Sequence, residues 1–152
     1  MHCIFCEIAT GERAASMVWE DDVCLAFMDI YPVRSGHVLV IPRRHAVLLT
    51  ELEAVEQARV FEVATAVRAA ARDVGWGAQG ANLMLNDGAA ANQHVRHVHV
   101  HVLPRQPGDG LRVWWAFARR MLNVFGSRDS RSGLDEQAAR LRPGVRERLI
   151  GG

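Results

Sequence analysis

Long apolar runs are absent from this 152-residue sequence, and only three cysteines are present. No run approaches the roughly 18 apolar residues of a membrane span, and the first residues do not resemble a secretory signal. A chain of this length can bury a substantial core without disulfide staples. We therefore expect one domain in the cytoplasm, with reduced thiols and no membrane partner.

Charge of one sign is also scarce, since 18 basic residues oppose 17 acidic ones and the net charge is +1. This balance gives no electrostatic reason for binding nucleic acid, and no stretch interleaves aromatic and basic residues. We therefore expect no nucleic-acid partner. Arginine is concentrated in the last third of the chain, which is typical of a solvated, partly flexible surface. A weak phosphate-attracting or partner surface is the alternative.

The hydrophobic pattern predicts an α+β fold, with an antiparallel sheet of about five strands and one long helix covering it. The helix is predicted over residues 51–74, with Thr50 and Glu53 as a capping box. A terminal helix is predicted over 134–141, ending before Pro143, after a flexible link over 127–133. The strands are predicted at 17–20, 23–28, 37–41, 81–85 and 97–102.

The most distinctive segment contains His97, His99 and His101 in alternation with valines. A period of two predicts a strand with three imidazoles on one face. His97 and His101 would then lie about 13 Å apart, and this distance argues against a single metal ion bound by all three side chains. Burying three such rings without partners is costly, which argues against a purely structural role. The middle histidine is suited to be a nucleophile, with a neighbour donating a proton or hydrogen bond.

A second distinctive feature is the Cys-x-x-Cys pair formed by Cys3 and Cys6. A redox pair is disfavoured because no strand precedes Cys3. Half of a zinc site is favoured, and such a site needs two further ligands. Reduced thiols packed at the surface remain the alternative. Cys24, in an apolar run, is predicted to be a small core residue.

Several segments together resemble the histidine triad (HIT) family of nucleotide hydrolases and transferases. The histidine run with Gln93-His94-Val95 before it resembles the signature of the family. Further matches occur in the order that the family uses, over about residues 3–106: Cys3-Ile-Phe-Cys6, Trp19-Glu-Asp-Asp, Phe27-Met-Asp29-Ile-Tyr-Pro32, Gly36-His37-Val-Leu-Val-Ile-Pro42 and Asn86-Asp-Gly88. We interpret 1–110 as a HIT domain core and 111–152 as a tail of the same single domain. The resemblance also implies a homodimer with joined sheets.

The resemblance implies attack on the α-phosphate of a purine nucleotide, through a nucleotidyl-histidine intermediate on His99. Residues implied in catalysis beside it are His101, His37 and Gln93. The implied nucleotide site comprises Asp29 at the ribose, Asn86, Gln93, His99 and His101 near the phosphate, and Phe5, Ile8, Phe27 and Ile30 around the purine. No catalytic metal is required, although magnesium can accompany a dinucleoside polyphosphate. In bacterial members, a structural zinc ion is completed by histidines that match His45 and His97 here, beside Cys3 and Cys6.

Two positions depart from the family pattern. Asn92 stands where glycine is common, and asparagine tolerates left-handed backbone better than most residues. His94 stands where a small or hydroxyl residue is usual, and strand parity predicts that it points away from the triad face.

The sequence leaves the substrate open. Residues 95–105 resemble the diadenosine polyphosphate hydrolase branch, whereas the cysteine pair and the length resemble the general bacterial branch. A nucleotide-binding or protein-interaction module with little catalysis is the alternative from another class, and retention of all three triad histidines argues against it. A zinc-dependent regulatory or nucleic-acid-binding module has the least support, since there is one candidate site and almost no net charge.

Overall fold

The computed structural model describes residues 3–121 and 129–151. Its strands are β1 (Met17–Glu20), β2 (Cys24–Met28), β3 (Val38–Pro42), β4 (Ala81–Leu85) and β5 (Val100–Pro104). Its helices are α1 (Ile4–Ala9), α2 (Ala54–Asp73), α3 (Gly110–Met121) and α4 (Arg131–Ile150). The strands form one antiparallel sheet in the order β1-β2-β3-β5-β4, which confirms the predicted α+β class. No helix in the described ranges is long and apolar enough to cross a membrane.

The two faces of the sheet are covered differently, because side chains alternate along each strand. Val40 and Val100 pair across β3 and β5 and face α2 and α4, in the largest core cluster. Leu39 and His101 pair one residue along and face the opposite side. The chain thus keeps an apolar core on one face and places a polar group in the middle of the other.

Helix α2 begins three residues later than predicted. The predicted capping box of Thr50 with Glu53 was wrong, because residues 49–51 form a short 3₁₀ helix instead. Glu53 itself caps α2, in a reciprocal pair with Glu56. Leu52 is buried against the loops that precede α2 and β5, and this contact keeps the 3₁₀ helix apart from α2.

The histidine segment is less regular than its period of two predicts. Strand β5 begins at Val100, so His97 and His99 lie in the irregular segment before the strand and His101 lies within it. The amide of Val98 donates to the carbonyl of Ala46, in the loop after β3. One continuous strand over 97–102 was therefore a wrong prediction for its first half, because the backbone there bonds to a loop and not to a neighbouring strand.

Helix α3 was not predicted, because the Pro-Gly-Asp-Gly segment before it reads as a loop. Val113 is buried against Leu103 of β5 and against Val33, with Phe117 packed on the same cluster. The amide of Val113 donates to the carbonyl of Asp109 at the start of the helix. The spacing of Val113 and Phe117, four residues apart, is the sequence signal that indicates this helix.

Helix α4 is longer than the predicted segment 134–141 and continues through Pro143. Leu141 and Val145, on either side of the proline, are fully buried in the core shared with α2. Their burial outweighs the local cost of a proline inside a helix. The predicted flexible link was wrong for residues 129–133, since Ser130 accepts a hydrogen bond from the amide of Gly133 as the N-cap. The rest of that link, 127–128, lies outside the described residues.

Several arginines of α4 are exposed, as predicted for a solvated surface, and three of them also contact other parts of the protein. The guanidinium of Arg140 lies 4.4 Å from the ring centroid of Trp76. Arg142 donates from Nε to a β1 carbonyl at 2.8 Å, and Arg148 forms an ion pair with Asp73. The described side chains of this region do not include those of Arg120 and Arg128.

Candidate functional site

A cavity of about 640 Å³ lies on the sheet face that carries His101. Its volume falls in the range of small-molecule sites. Helix α1 forms one wall, and its Phe5 ring makes edge contacts with the rings of Phe27 and His99. Eight of the predicted site residues line this cavity: Phe5, Ile8, Phe27, Asp29, Ile30, Asn86, His99 and His101.

The hydrogen bond of His99 fixes which of its ring nitrogens carries the proton. Nδ1 of His99 lies 2.7 Å from the carbonyl oxygen of His97. A carbonyl oxygen only accepts hydrogen bonds, so Nδ1 must hold the proton and donate. The lone pair of a neutral His99 then resides on Nε2, which is the arrangement that a nucleophilic imidazole requires.

The second triad histidine at the cavity is oriented by His37, which is fully buried. The amide of Val33 donates to Nδ1 of His37 at 3.2 Å, so the proton of His37 lies on Nε2. That Nε2–H points to Nδ1 of His101 at 3.0 Å, which makes Nδ1 of His101 an acceptor. The proton of a neutral His101 is therefore on Nε2, where it can be donated to an anionic oxygen.

Asp29 also approaches His37, with Oδ2 at 3.5 Å from Nδ1. We assign the Nδ1 lone pair to the amide of Val33, because that contact is shorter and an amide can only donate. The other carboxylate oxygen of Asp29 accepts from the amide of Tyr31 at 2.9 Å. The carboxylate is thus held at the end of β2, on the edge of the cavity.

Gln93, which is predicted to lie near the phosphate, is not among the residues that line the cavity. Its Oε1 accepts from the amide of Gly88, and its Nε2 donates to the carbonyl of Val47 at 2.7 Å. Both ends of the amide are therefore engaged with backbone. Gln93 therefore links the loop before β5 to the loop before α2. His37 likewise lies behind the cavity wall.

The two positions that depart from the family pattern both line the cavity. Asn92 has a φ of 65°, the left-handed backbone that asparagine tolerates. His94 lines the same cavity as His99, although its side chain is largely exposed. The prediction that His94 points away was wrong, because residues 94–97 form a bend to which strand parity does not apply.

Several cavity residues were not predicted. Arg13, which follows α1, donates to Glu7 at 2.6 Å. Phe117 of α3 and Arg131 of α4 reach the cavity from the segment that we predicted to be a tail. No local sequence signal marks Arg131, because it approaches residues that are more than 100 positions away in the chain.

A separate cluster brings together the four predicted metal ligands, Cys3, Cys6, His45 and His97. Their candidate ligand atoms all lie within 4.8 Å of one another. Sγ of Cys3 and Sγ of Cys6 lie 3.6 and 3.7 Å from Nδ1 of His97, and Sγ of Cys6 lies 3.3 Å from Nδ1 of His45. Tetrahedral zinc with bonds of about 2.3 Å to sulfur and about 2.0 Å to nitrogen places its ligand atoms roughly 3.5 Å apart. The cluster therefore fits zinc.

The protonation of His97 also suits a metal ligand. Its Nε2 lies 2.9 Å from the carbonyl of Pro42 and donates to it, so the Nδ1 lone pair faces the two thiols. Burial lowers the pKa of His97 to about 4. The ring is therefore neutral at physiological pH.

The redox alternative for the cysteine pair is disfavoured by the environment of Cys6. Burial, together with a hydrogen bond that the Cys6 thiol donates to Cys3, raises the pKa of Cys6 to about 11. A reactive redox cysteine needs a lowered pKa, since the thiolate is the nucleophile. Cys24 is fully buried, as predicted, and burial raises the pKa of its thiol to about 12.

Comparison with known proteins agrees with this geometry. The HIT domain family matches residues 10–108. An adenosine 5′-monophosphoramidase of Schizosaccharomyces pombe is 37% identical over 116 residues, which are 76% of this chain and 84% of that protein. An adenylylsulfatase of Arabidopsis thaliana is 34% identical over 148 residues, which are 97% of this chain and 69% of that protein.

Solved structures include a zinc-bound histidine triad family protein from Mycobacterium smegmatis with a TM-score of 0.76 and 33% identity. The match covers 97% of this chain and 95% of that protein, so it extends through the carboxy-terminal helices. The family match over most of the sequence and the likeness of the whole fold lead to one conclusion. This chain belongs to the HIT domain family.

Proposed function

We propose that this protein is a nucleotide hydrolase that acts at the α-phosphate of a purine nucleoside phosphoramidate or dinucleoside polyphosphate. The observation that carries the proposal is the tautomer of His99, whose Nδ1–H is held by the carbonyl of His97 at 2.7 Å. Its Nε2 lone pair attacks phosphorus, forming an N–P bond as the bond to the leaving group breaks. Water then cleaves the N–P bond, which releases the nucleoside monophosphate and restores His99.

His101 supports the same step through a hydrogen bond to the phosphate. Its ring lies 5.1 Å from the ring of His99, centroid to centroid, and its Nε2–H is set by His37. Donation from Nε2–H to a phosphate oxygen stabilises the charge that develops during attack. Asp29, at the end of β2, accepts from the ribose hydroxyls, while Phe5 and Phe27 provide an apolar wall for the purine.

The two curated relatives favour one substrate class within the proposal. Their names, an adenosine 5′-monophosphoramidase and an adenylylsulfatase, describe cleavage of mononucleotide compounds. We therefore place a nucleoside 5′-phosphoramidate ahead of a dinucleoside polyphosphate as the substrate of this chain.

The central experiment measures hydrolysis of adenosine 5′-phosphoramidate and of diadenosine polyphosphates by the wild-type protein and by His99→Ala. We expect release of AMP by the wild-type protein and a loss of several orders of magnitude in His99→Ala, which still binds AMP. Wild-type protein that is denatured at alkaline pH during turnover, where the N–P bond is preserved, should carry a nucleotide on one histidine by mass spectrometry. Turnover that survives in His99→Ala would exclude His99 as the nucleophile.

The alternative is a nucleotide-binding or protein-interaction module with little catalysis. It predicts AMP binding by the wild-type protein without turnover of any substrate in the panel. The fixed tautomers of His99 and His101 favour the hydrolase, because a pure binding site has no need for an unprotonated nitrogen directed to the cavity.

We also propose that Cys3, Cys6, His45 and His97 hold a structural zinc ion. The ligand distances and the zinc-bound structural relative support this proposal. Zinc would join α1 to the loops after β3 and before β5. Since α1 has six residues and carries Phe5 and Ile8, the ion would hold one wall of the cavity in place.

We propose further that the protein is a homodimer in which two sheets join along β4. This strand lies at the edge of the sheet, and its Leu83 is 41% exposed. An uncovered edge strand is prone to pair with another chain. Along the opposite edge, β1 is packed against α4, so β4 is the edge that is available to a second copy.

A further inference from the structure

Arg131 is the basis of an inference about which base the cavity selects. It is the first residue of α4 and lies outside the segment 10–108 that matches the HIT domain. Its side chain lines the cavity together with Asp29 and Ile30. The carboxy-terminal segment therefore adds a cationic group to the cavity.

The position of Arg131 places it away from the triad histidines. Its guanidinium donates to the carbonyl of Ala14 at 2.8 Å and to Oγ of Ser16 at 3.2 Å. The carbonyl of Ser16 accepts from the amide of Met28, the last residue of β2. Since β2 is two strands from β5 in the sheet, the two strands are separated by roughly 10 Å. A nucleotide with its phosphate at His99 would extend its base across this gap.

The guanidinium retains both hydrogen-bonding capacity and charge. Arginine has five N–H donors, and the two described bonds of Arg131 use two of them. Both acceptors are neutral oxygens, so these bonds do not compensate the positive charge. Arg13, the other arginine of the cavity, is instead paired with Glu7 at 2.6 Å. Arg131 is thus the better candidate to bind an acceptor on the ligand.

The surroundings of Arg131 suit an acceptor on a base and not a second phosphate. The carbonyl of Ile30 accepts from the amide of Asp129, two residues before Arg131, and Ile30 and its neighbour Asp29 supply an apolar side chain and a carboxylate to the cavity. A carboxylate repels a further phosphate on the ribose, whereas an apolar wall suits a planar base. Guanine presents two adjacent acceptors, O6 and N7, that match the donor fork of arginine, while adenine places the N6 amino donor at the corresponding position.

We propose that Arg131 makes this cavity selective for 6-oxopurine nucleotides, those of guanine and hypoxanthine, over adenine nucleotides. The inference rests on the proposed function, since it assumes that the nucleotide places its phosphate at His99.

The test is isothermal titration of the full chain with GMP, IMP and AMP. We expect the wild-type protein to bind GMP and IMP on the order of 10-fold more tightly than AMP, as for a bidentate arginine contact. Arg131→Ala should lose this preference by weakening GMP and IMP, with little change for AMP. Arg131→Lys should lose most of it, because lysine keeps the charge but not the fork. IMP separates recognition of O6 and N7 from recognition of the guanine 2-amino group.

The matched control is Arg142→Ala. Arg142 lies on the same helix and also donates to a backbone carbonyl, that of Met17, but it does not line the cavity. This variant should keep the wild-type preference. Equal affinity of the wild-type protein for GMP, IMP and AMP overturns the inference and leaves the proposed function standing. An equal loss of affinity for all three nucleotides in Arg131→Ala likewise overturns the inference and leaves the proposed function standing. Failure of the wild-type protein to bind any of them overturns both proposals.

Discussion

Replacing His37 by phenylalanine tests whether the relay from Val33 through His37 to His101 determines catalysis. Phenylalanine retains a ring of similar size at a fully buried position. It removes the acceptor for the amide of Val33, at 3.2 Å, and the donor to Nδ1 of His101, at 3.0 Å. His101 then loses the bond that keeps its proton on Nε2, so it no longer presents a fixed donor to the phosphate.

His37→Phe should change both the stability of the protein and its kcat. Each of the two buried groups that loses its His37 partner costs about 1–3 kcal/mol, so the free energy of unfolding should fall by about 2–6 kcal/mol. The loss of a correctly protonated donor in the transition state should lower kcat by roughly 100-fold or more, with KM changed by less than about threefold. Urea unfolding measures the first effect, and steady-state hydrolysis of a nucleoside 5′-phosphoramidate measures the second.

A control variant separates lost stability from a lost proton donor. Leu141→Ala, in the buried core of α4, should cost a similar 2–5 kcal/mol without touching the cavity. Under conditions where both variants are folded, Leu141→Ala should retain the wild-type kcat. A kcat within threefold of wild type in His37→Phe, or an equal loss of kcat in both variants, would refute the role assigned to the relay.

Two further predictions concern the metal and the assembly. Cys6→Ser should purify without stoichiometric zinc. Its KM for nucleotide should rise on the order of 10-fold with a smaller change in kcat, because α1 is no longer held by the metal. The control variant Cys24→Ala should keep the metal. One zinc per chain retained in Cys6→Ser would contradict the assigned ligands. Light scattering should give twice the 16.9 kDa of one chain for the wild-type protein and a monomer for Leu83→Arg, with Ile150→Arg still a dimer. A monomeric wild-type protein would rule out the joined sheets.

The sheet and α2 were predictable because their signals are local. The continuous apolar runs of β2 and β3 and the alternating valines of β5 indicate strands without knowledge of the neighbouring strands, and the strands at 17–20 and 81–85 occur where predicted. The boundaries of α2 and α4 were less predictable, since burial of Leu52 and Leu141 overrode the capping and proline signals. Helix termini depend on what the flanking residues contact, and that is a tertiary property.

The residues of the candidate site also fall into those that the sequence predicted and those that only the structure revealed. The sequence and its resemblance to the HIT family identified eight residues that line the cavity and four that cluster as metal ligands. They assigned Gln93 to the phosphate, yet its amide is engaged with two backbone groups. They also missed Arg131, because its contacts with Ala14 and Ser16 join the two ends of the chain.

By itself, the sequence determined that valines and histidines alternate near residue 100, and therefore that an apolar face and a chemically active face lie back to back. The resemblance to the HIT family implied the four residues of the candidate metal cluster. The tertiary structure alone decided which ring nitrogen of each imidazole carries the proton and which group each ring faces. His97 faces the cysteines because Pro42 accepts from its other nitrogen, His99 presents Nε2 because a carbonyl holds Nδ1, and His101 is set by His37. The tautomer of an imidazole depends on its hydrogen-bond partner, and for His97 and His101 that partner is distant in sequence.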